Sequence, residues 1–272
     1  MAAIVREGTL RRDVLRGMLG VVAADVMMAG GMMWANADAM PRIYTRREWG
    51  AVPSRRPPRV LDRPPDHIIV HHTATPNVSD LSRRHAFSLS RAIQRDHMRN
   101  QGWDDIGEQL TISRGGHVME GRAGSLPAIR QGRLVVGAQS LRHNDHTIGI
   151  ENEGTYLEDD VPGRLWDSLV DVCAWLCAAY RLDPAVAIVG HRDYNDTDCP
   201  GDVLYRRLPR LRTEVERVLE DAHHGGPPPG RDPHPPPGGG PHLPPGLDDD
   251  PPSDERRRLT SHRHRRLRGH GR

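Results

Sequence analysis

IIVHH (68–72) is the segment from which the fold can be read. Its β-branched residues form a short apolar run that reads as a central buried strand, and it ends on two histidines. TIGIENEG (147–154) reads as a second strand, and VAIVGH (186–191) as a third that also ends on a histidine. QLTIS (109–113) and HVMEG (117–121) are joined by Arg114, Gly115 and Gly116, which reads as a hairpin. Helical patterns lie between the strands. LSRRHAFSLSRAIQRDHM (81–98) spaces Leu81, His85, Leu89 and Ile93 four apart, giving one apolar face. Asp80 is its expected cap, and Gly102 lies shortly past its end. LWDSLVDVCAWLCAAY (165–180) is a second amphipathic helix, and Arg206 to Ala222 a closing one with Pro209 near its first turn. Strands alternating with helices define an α/β domain with a mixed sheet.

The 272 residues have room for one or two domains. Aromatic residues make up 4% with a single Phe, so the core must rest on Leu, Val, Ile, Ala and a few Trp. Many of the 28 Gly and 24 Pro crowd the last fifty residues, which leaves one compact domain plus unstructured sequence. All 38 basic residues are Arg, so no lysine is available as a catalyst or Schiff-base former. A formal net charge of +2 gives no ground for a nucleic-acid partner.

Both ends read differently from the middle. TLRRDVLRG (9–17) holds a twin arginine, followed by a mostly apolar stretch from Met18 to Trp34 and then ANADA (35–39). This is the order of an export signal with a small-residue cleavage site, and the twin arginine points to the Tat route. Cleavage is expected after Ala39. A retained membrane helix is the alternative, although the stretch is short and contains glycines and Asp25. Residues 40–223 form the expected folded domain. Residues 224–272 carry a Pro/Gly-rich segment of low complexity and then ERRRLTSHRHRRLRGHGR, a sequence expected to be disordered. The basic end is open to contact with an anionic wall polymer, a membrane or nucleic acid, or to no specific partner.

The three cysteines, Cys173, Cys177 and Cys199, are an odd number, which points to a thiol or a metal ligand rather than a disulfide framework. Cys173 and Cys177 lie four apart on a helix and read as core packing, with a bridge or a metal site as alternatives. His71 and His191 each end a strand, and Cys199 follows eight residues after His191, beside Pro200 and Gly201. Two imidazoles and one thiolate make a catalytic zinc set whose fourth position is left for water. No H-E-x-x-H helix, the mark of a common class of zinc peptidase, is present.

Five segments occur in a familiar order: REWGA (47–51), IIVHHTAT (68–75), QGWDDIGEQLTISRGGHVMEGR (101–122), HTIGIENEG (146–154) and GHRDYNDTDCPGD (190–202). On these segments, which span most of residues 44–205, the chain resembles the Amidase_2 family. That family holds bacterial and phage N-acetylmuramoyl-L-alanine amidases and animal peptidoglycan recognition proteins. The resemblance implies a mixed central sheet flanked by helices, with a zinc cleft on one face. It implies Zn²⁺ held by His71, His191 and Cys199, and hydrolysis of the amide between MurNAc and L-alanine. His72, a position that varies in the family, is expected to point the other way on its strand.

The resemblance also implies an acid/base group. Glu151 matches the glutamate of one branch and is the expected general base. Glu108 stands where another branch has a tyrosine and is the second candidate. Glu153, two residues from Glu151 on the same strand face, is a weaker third. Thr197 replaces a lysine found in some members and offers a hydroxyl to a developing oxyanion. Gln139 replaces a histidine of many relatives and, with Asn144 and Arg192, completes the expected substrate contacts. Peptidoglycan or muropeptides are the implied partners, at the cell wall or outside the cell, with no specific nucleic acid and no stable protein partner. The alternative is a non-catalytic peptidoglycan-binding protein of the same fold, although receptor-only relatives typically lose the cysteine.

Overall fold

The computed structural model describes residues 40–224. The expected leader and nearly all of the expected tail lie outside the described residues. Among the described residues no helix is long and apolar enough to cross a membrane.

The IIVHH run lies in β3 (His67–His72), a strand at whose centre Ile68, Ile69 and Val70 are fully buried. It pairs in parallel with β7 (Thr147–Asn152) on one side and β8 (Ile188–Gly190) on the other. β4 (Leu110–Ile112) runs parallel to β7 and antiparallel to β5 (Val118–Glu120), so the expected hairpin is present. β1 (Ile43–Tyr44) closes that edge, giving a mixed six-stranded sheet of order β1-β5-β4-β7-β3-β8. A separate ribbon pairs β2 (Val60–Leu61) with β6 (Leu134–Val135).

The period of two along β3 divides the sheet into two faces. Ile68 and Val70, with Ile148 and Ile150 from β7, enter the main core. Above them pack α4 (Gly163–Tyr180) and α7 (Leu208–His223), through residues such as Leu169, Cys173, Leu176, Leu211 and Val215. Cys173 and Cys177 are buried in this core as unbridged thiols. On the other side a smaller cluster joins Met119 to Trp49 at the end of α1 (Arg46–Trp49), and to Ala86, Leu89 and Ile93 of α2 (Arg83–Arg99).

Three sequence expectations are corrected. Ser82, not Asp80, caps α2: its side chain accepts from the His85 N–H at 3.1 Å, while Asp80 accepts the N–H of Ser82 at 2.9 Å. Leu81 therefore precedes the helix and is exposed, so the buried stripe begins at Ala86. In VAIVGH, Val186 and Ala187 lie in the one-turn helix α5 (Pro184–Ala187), because Asp183 caps the Ala185 N–H and Pro184 fits a first helical turn. The closing helix is α7, set off from a short α6 (Asp202–Arg206).

Candidate metal centre

Strand register puts the first functional groups side by side. His71 pairs with Glu151, Glu151 pairs with Thr111, and Gly190 pairs with Val70. His191, the residue after Gly190, opens a 3-10 turn (His191–Asp193) at the end of β8. A row His191, His71, Glu151, Thr111 thus crosses one end of the sheet on neighbouring strands, which lie roughly 5 Å apart.

Cys199 comes to this row from a loop. Its carbonyl accepts the Arg192 N–H at 3.0 Å, and the loop lies against Tyr156 at Gly201. Gly201 has φ +89°, and a Cβ there would stand 2.4 Å from the Tyr156 backbone, so only glycine lets the loop come this close. The Cys199 Sγ accepts the His72 N–H at 3.4 Å and lies 3.7 Å from His71 Nδ1. The rings of His71 and His191 stand 4.4 Å apart. One donor atom from each of His71, His191 and Cys199 lies within 4.8 Å of the others. His72 turns to the opposite side, where its Nδ1 accepts the Tyr156 N–H at 3.2 Å.

A second set overlaps the first: donor atoms of His71, Glu108 and Glu151 also lie within 4.8 Å of one another. Both carboxylates are buried. Burial, then the charge of Glu108 and a hydrogen bond with it, raise the Glu151 carboxyl well above its ordinary range. Among the described residues Glu108 Oε2 has no hydrogen-bond partner, and neither has the Thr111 hydroxyl. His97 Nδ1 stands 4.0 Å from that oxygen, but its lone pair already takes the Gly107 N–H, so it presents no proton. Burial and the charge of Glu151 also push the Cys199 thiol well up. A soft sulfur donor, two imidazoles and a pair of buried carboxyls form a donor set suited to a divalent cation. The residues therefore fit zinc.

The remaining expected residues are placed as follows. Thr197 Oγ1 accepts the Cys199 N–H at 3.2 Å, which leaves its hydrogen to be donated elsewhere. Gln139 is buried, with its Oε1 2.6 Å from His71 Nε2. Asn144 Oδ1 accepts the N–H groups of Gln139 at 2.7 Å and Ser140 at 3.0 Å. Arg192 bonds Asp202 at 2.6 Å and the Asp198 carbonyl, and lies over the Tyr205 ring. Gln139, Asn144 and Arg192 are thus engaged by the protein itself. Glu153 pairs with His85 and accepts the Arg114 N–H at 2.8 Å. One residue the sequence reading missed is Asn195, whose Oδ1 is 3.0 Å from His191 Nε2. Its position four residues after His191, in a loop, was the available signal.

A mixed sheet carrying a two-histidine, one-cysteine centre at one end of its strands defines a candidate metallohydrolase. The chain belongs to the Amidase_2 family, described as N-acetylmuramoyl-L-alanine amidase, whose model matches residues 61–202. It is 33% identical over 199 residues to the N-acetylmuramoyl-L-alanine amidase of Homo sapiens, covering 70% of this chain and 33% of that protein. It is 30% identical over 197 residues to peptidoglycan-recognition protein LB of Drosophila melanogaster, covering 70% of this chain and 79% of that protein. A solved structure of a mutant of that Drosophila protein, in complex with tracheal cytotoxin, aligns with TM-score 0.54 and 28% identity. The alignment covers 62% of this chain and 94% of that one. The chain thus spans only about a third of the human amidase.

Proposed function

We propose that this chain is a zinc-dependent N-acetylmuramoyl-L-alanine amidase that hydrolyses the amide between MurNAc and L-alanine in peptidoglycan. The observation that carries the reading is the convergence of His71 from one segment with His191 and Cys199 from another, beside a buried carboxyl pair. Relatives that share the fold include amidases and recognition proteins, and a receptor needs neither the thiolate nor the carboxyl pair.

His71, His191 and Cys199 hold the metal in this reading. Zinc, when bound, supplies a Lewis acid that acidifies water and polarises the scissile carbonyl. Glu151, next to His71 in the sheet, takes the proton from the attacking water. It returns that proton to the departing L-alanine amine. Glu108 shares the hydrogen bond with Glu151 and is the second candidate for the same role. The Thr197 hydroxyl donates to the oxyanion as it forms.

The proposal extends to the ends of the chain. Residues 1–39 act as a Tat-type leader, 40–223 as the catalytic domain, and the basic tail within 224–272 contacts anionic wall polymer. N-terminal sequencing of exported protein should then begin at Met40.

The deciding experiment is mass analysis of defined muropeptides after incubation with the protein, with and without chelator. Release of the intact stem peptide that chelation stops and zinc restores is expected. Cys199→Ala should lose both metal and activity. Binding of muropeptide with no cleavage at any zinc level would leave a non-catalytic binding protein instead.

A further inference from the structure

The hydrogen bonds behind the two histidines form chains that turn an amide oxygen toward each ring. The first starts at the backbone carbonyl of His143, which can only accept. The Thr147 hydroxyl, 2.6 Å away, must therefore donate to it. With its one hydrogen used, Thr147 Oγ1 can only accept from the Gln139 side chain at 2.9 Å, so the group facing it is the amide NH₂. The Gln139 oxygen is thereby turned to His71, 2.6 Å from Nε2. That oxygen accepts, so in the neutral ring Nε2 carries the proton and the Nδ1 lone pair faces Cys199 Sγ at 3.7 Å.

The second chain reaches the same result. Asn195 places its NH₂ 3.3 Å from the Leu141 carbonyl, which fixes the orientation of its amide. Asn195 Oδ1 then accepts from the Ser140 hydroxyl at 2.8 Å and faces His191 Nε2 at 3.0 Å. His191 likewise carries its proton on Nε2.

Both chains are anchored on one stretch, residues 139–147, which supplies Gln139, the Ser140 hydroxyl, the Leu141 and His143 carbonyls and Thr147. Gln139 lies flat over β7, where a Cβ on Gly149 would stand 2.9 to 3.1 Å from its side chain. Gly149 is the residue that leaves room for it.

We infer that Gln139 and Asn195 are positioning residues that hold both histidines as Nε2–H tautomers, so that each offers Nδ1 to the metal before any metal arrives. The 139–147 segment is the shared template. The inference rests on the zinc reading of the same site, but it concerns the metal-free protein and can be tested there.

The test uses the full chain with ¹⁵N-labelled histidine, stripped of metal, and long-range ¹H–¹⁵N spectra that report which ring nitrogen carries the proton. His71 and His191 should both appear as Nε2–H, assigned by their loss in His71→Gln and His191→Gln. Gln139→Leu should shift His71 toward a tautomer mixture and weaken zinc by about 10- to 100-fold in chelator competition, the usual scale for such outer-shell partners. Asn195→Ala should do the same at His191, while Gln139→Glu, which keeps the acceptor oxygen, should preserve the His71 tautomer. An Nδ1–H signal from either histidine in the unsubstituted protein overturns the inference without any variant having to fold. So does a Gln139→Leu protein with unchanged tautomer and zinc affinity. Zinc bound with the expected tautomers but no muropeptide cleavage would defeat the amidase reading and leave this one standing.

Discussion

At the residue scale, burial first, and then the charge of Glu108 and a hydrogen bond with it, raise the Glu151 carboxyl well above its ordinary range. Glu151→Gln preserves shape and can still bond Glu108, but it cannot take a proton. It should keep stoichiometric zinc and lose on the order of 100-fold or more in kcat, the ordinary contribution of a positioned base. Steady-state kinetics with metal analysis checks this, and a larger loss in Glu108→Gln than in Glu151→Gln would move the base role to Glu108. The three metal-binding candidates could be read from sequence because His71 and His191 stand at the ends of apolar runs and Cys199 lies in the loop that follows, all within two recognisable segments. Asn195 could not, and Gln139 could be read as a site residue but not as the partner of His71. Their significance lies in which way an amide is turned, and that depends on a hydroxyl and on carbonyls of a loop without periodicity. Asn144 and Arg192 show the same limit: sequence marks a polar residue near a motif, but not the partners it has within the protein.

At the element scale, the long helices and the strands β3, β4, β5 and β7 were legible because apolar periodicity fixes them. Two-residue strands such as β1 were not, since so short a run has no period and its place beside β5 is set by tertiary packing. The α2 start shows how a local contest is decided: Asp80 and Ser82 both bond backbone N–H groups, but only Ser82 reaches into the first turn. Ser82→Ala should cost about 1 kcal/mol in urea unfolding, and Asp80→Ala less. The turn of the β4–β5 hairpin offers a pH test. His117 is half buried against Tyr44, and burial, opposed by a bond to Leu81 and reinforced by Arg83 and Arg164, lowers its pKa below 6.5. The folded state then binds fewer protons than the unfolded chain just below pH 6.5, so stability from this group falls as pH falls through that value. The loss levels off below the folded pKa. His117→Gln should flatten that part of the urea-midpoint profile, and an unchanged profile would show that the ring does not contribute.

At the scale of the whole molecule, the metal candidates tie the central sheet to the segment that leads into the closing helices. His71 belongs to β3, His191 follows β8, and Cys199 stands just before α6 and α7. A cation bound to all three would link these parts in the folded chain and find no such arrangement in the unfolded one, so binding free energy becomes folding free energy. With free zinc at a hundred times its Kd the gain is about 2.7 kcal/mol. For a domain of this size each kcal/mol raises Tm by roughly 2–4 °C, so zinc should raise Tm by about 5–11 °C over the chelated protein. The shift should grow with the logarithm of free zinc once the site is saturated. Cys199→Ala should abolish it at micromolar zinc even if its metal-free Tm is close to that of the unsubstituted protein. Calorimetry across a zinc titration makes the measurement. A Tm indifferent to zinc in the unsubstituted chain would mean that these three side chains, though close together, do not act as one site.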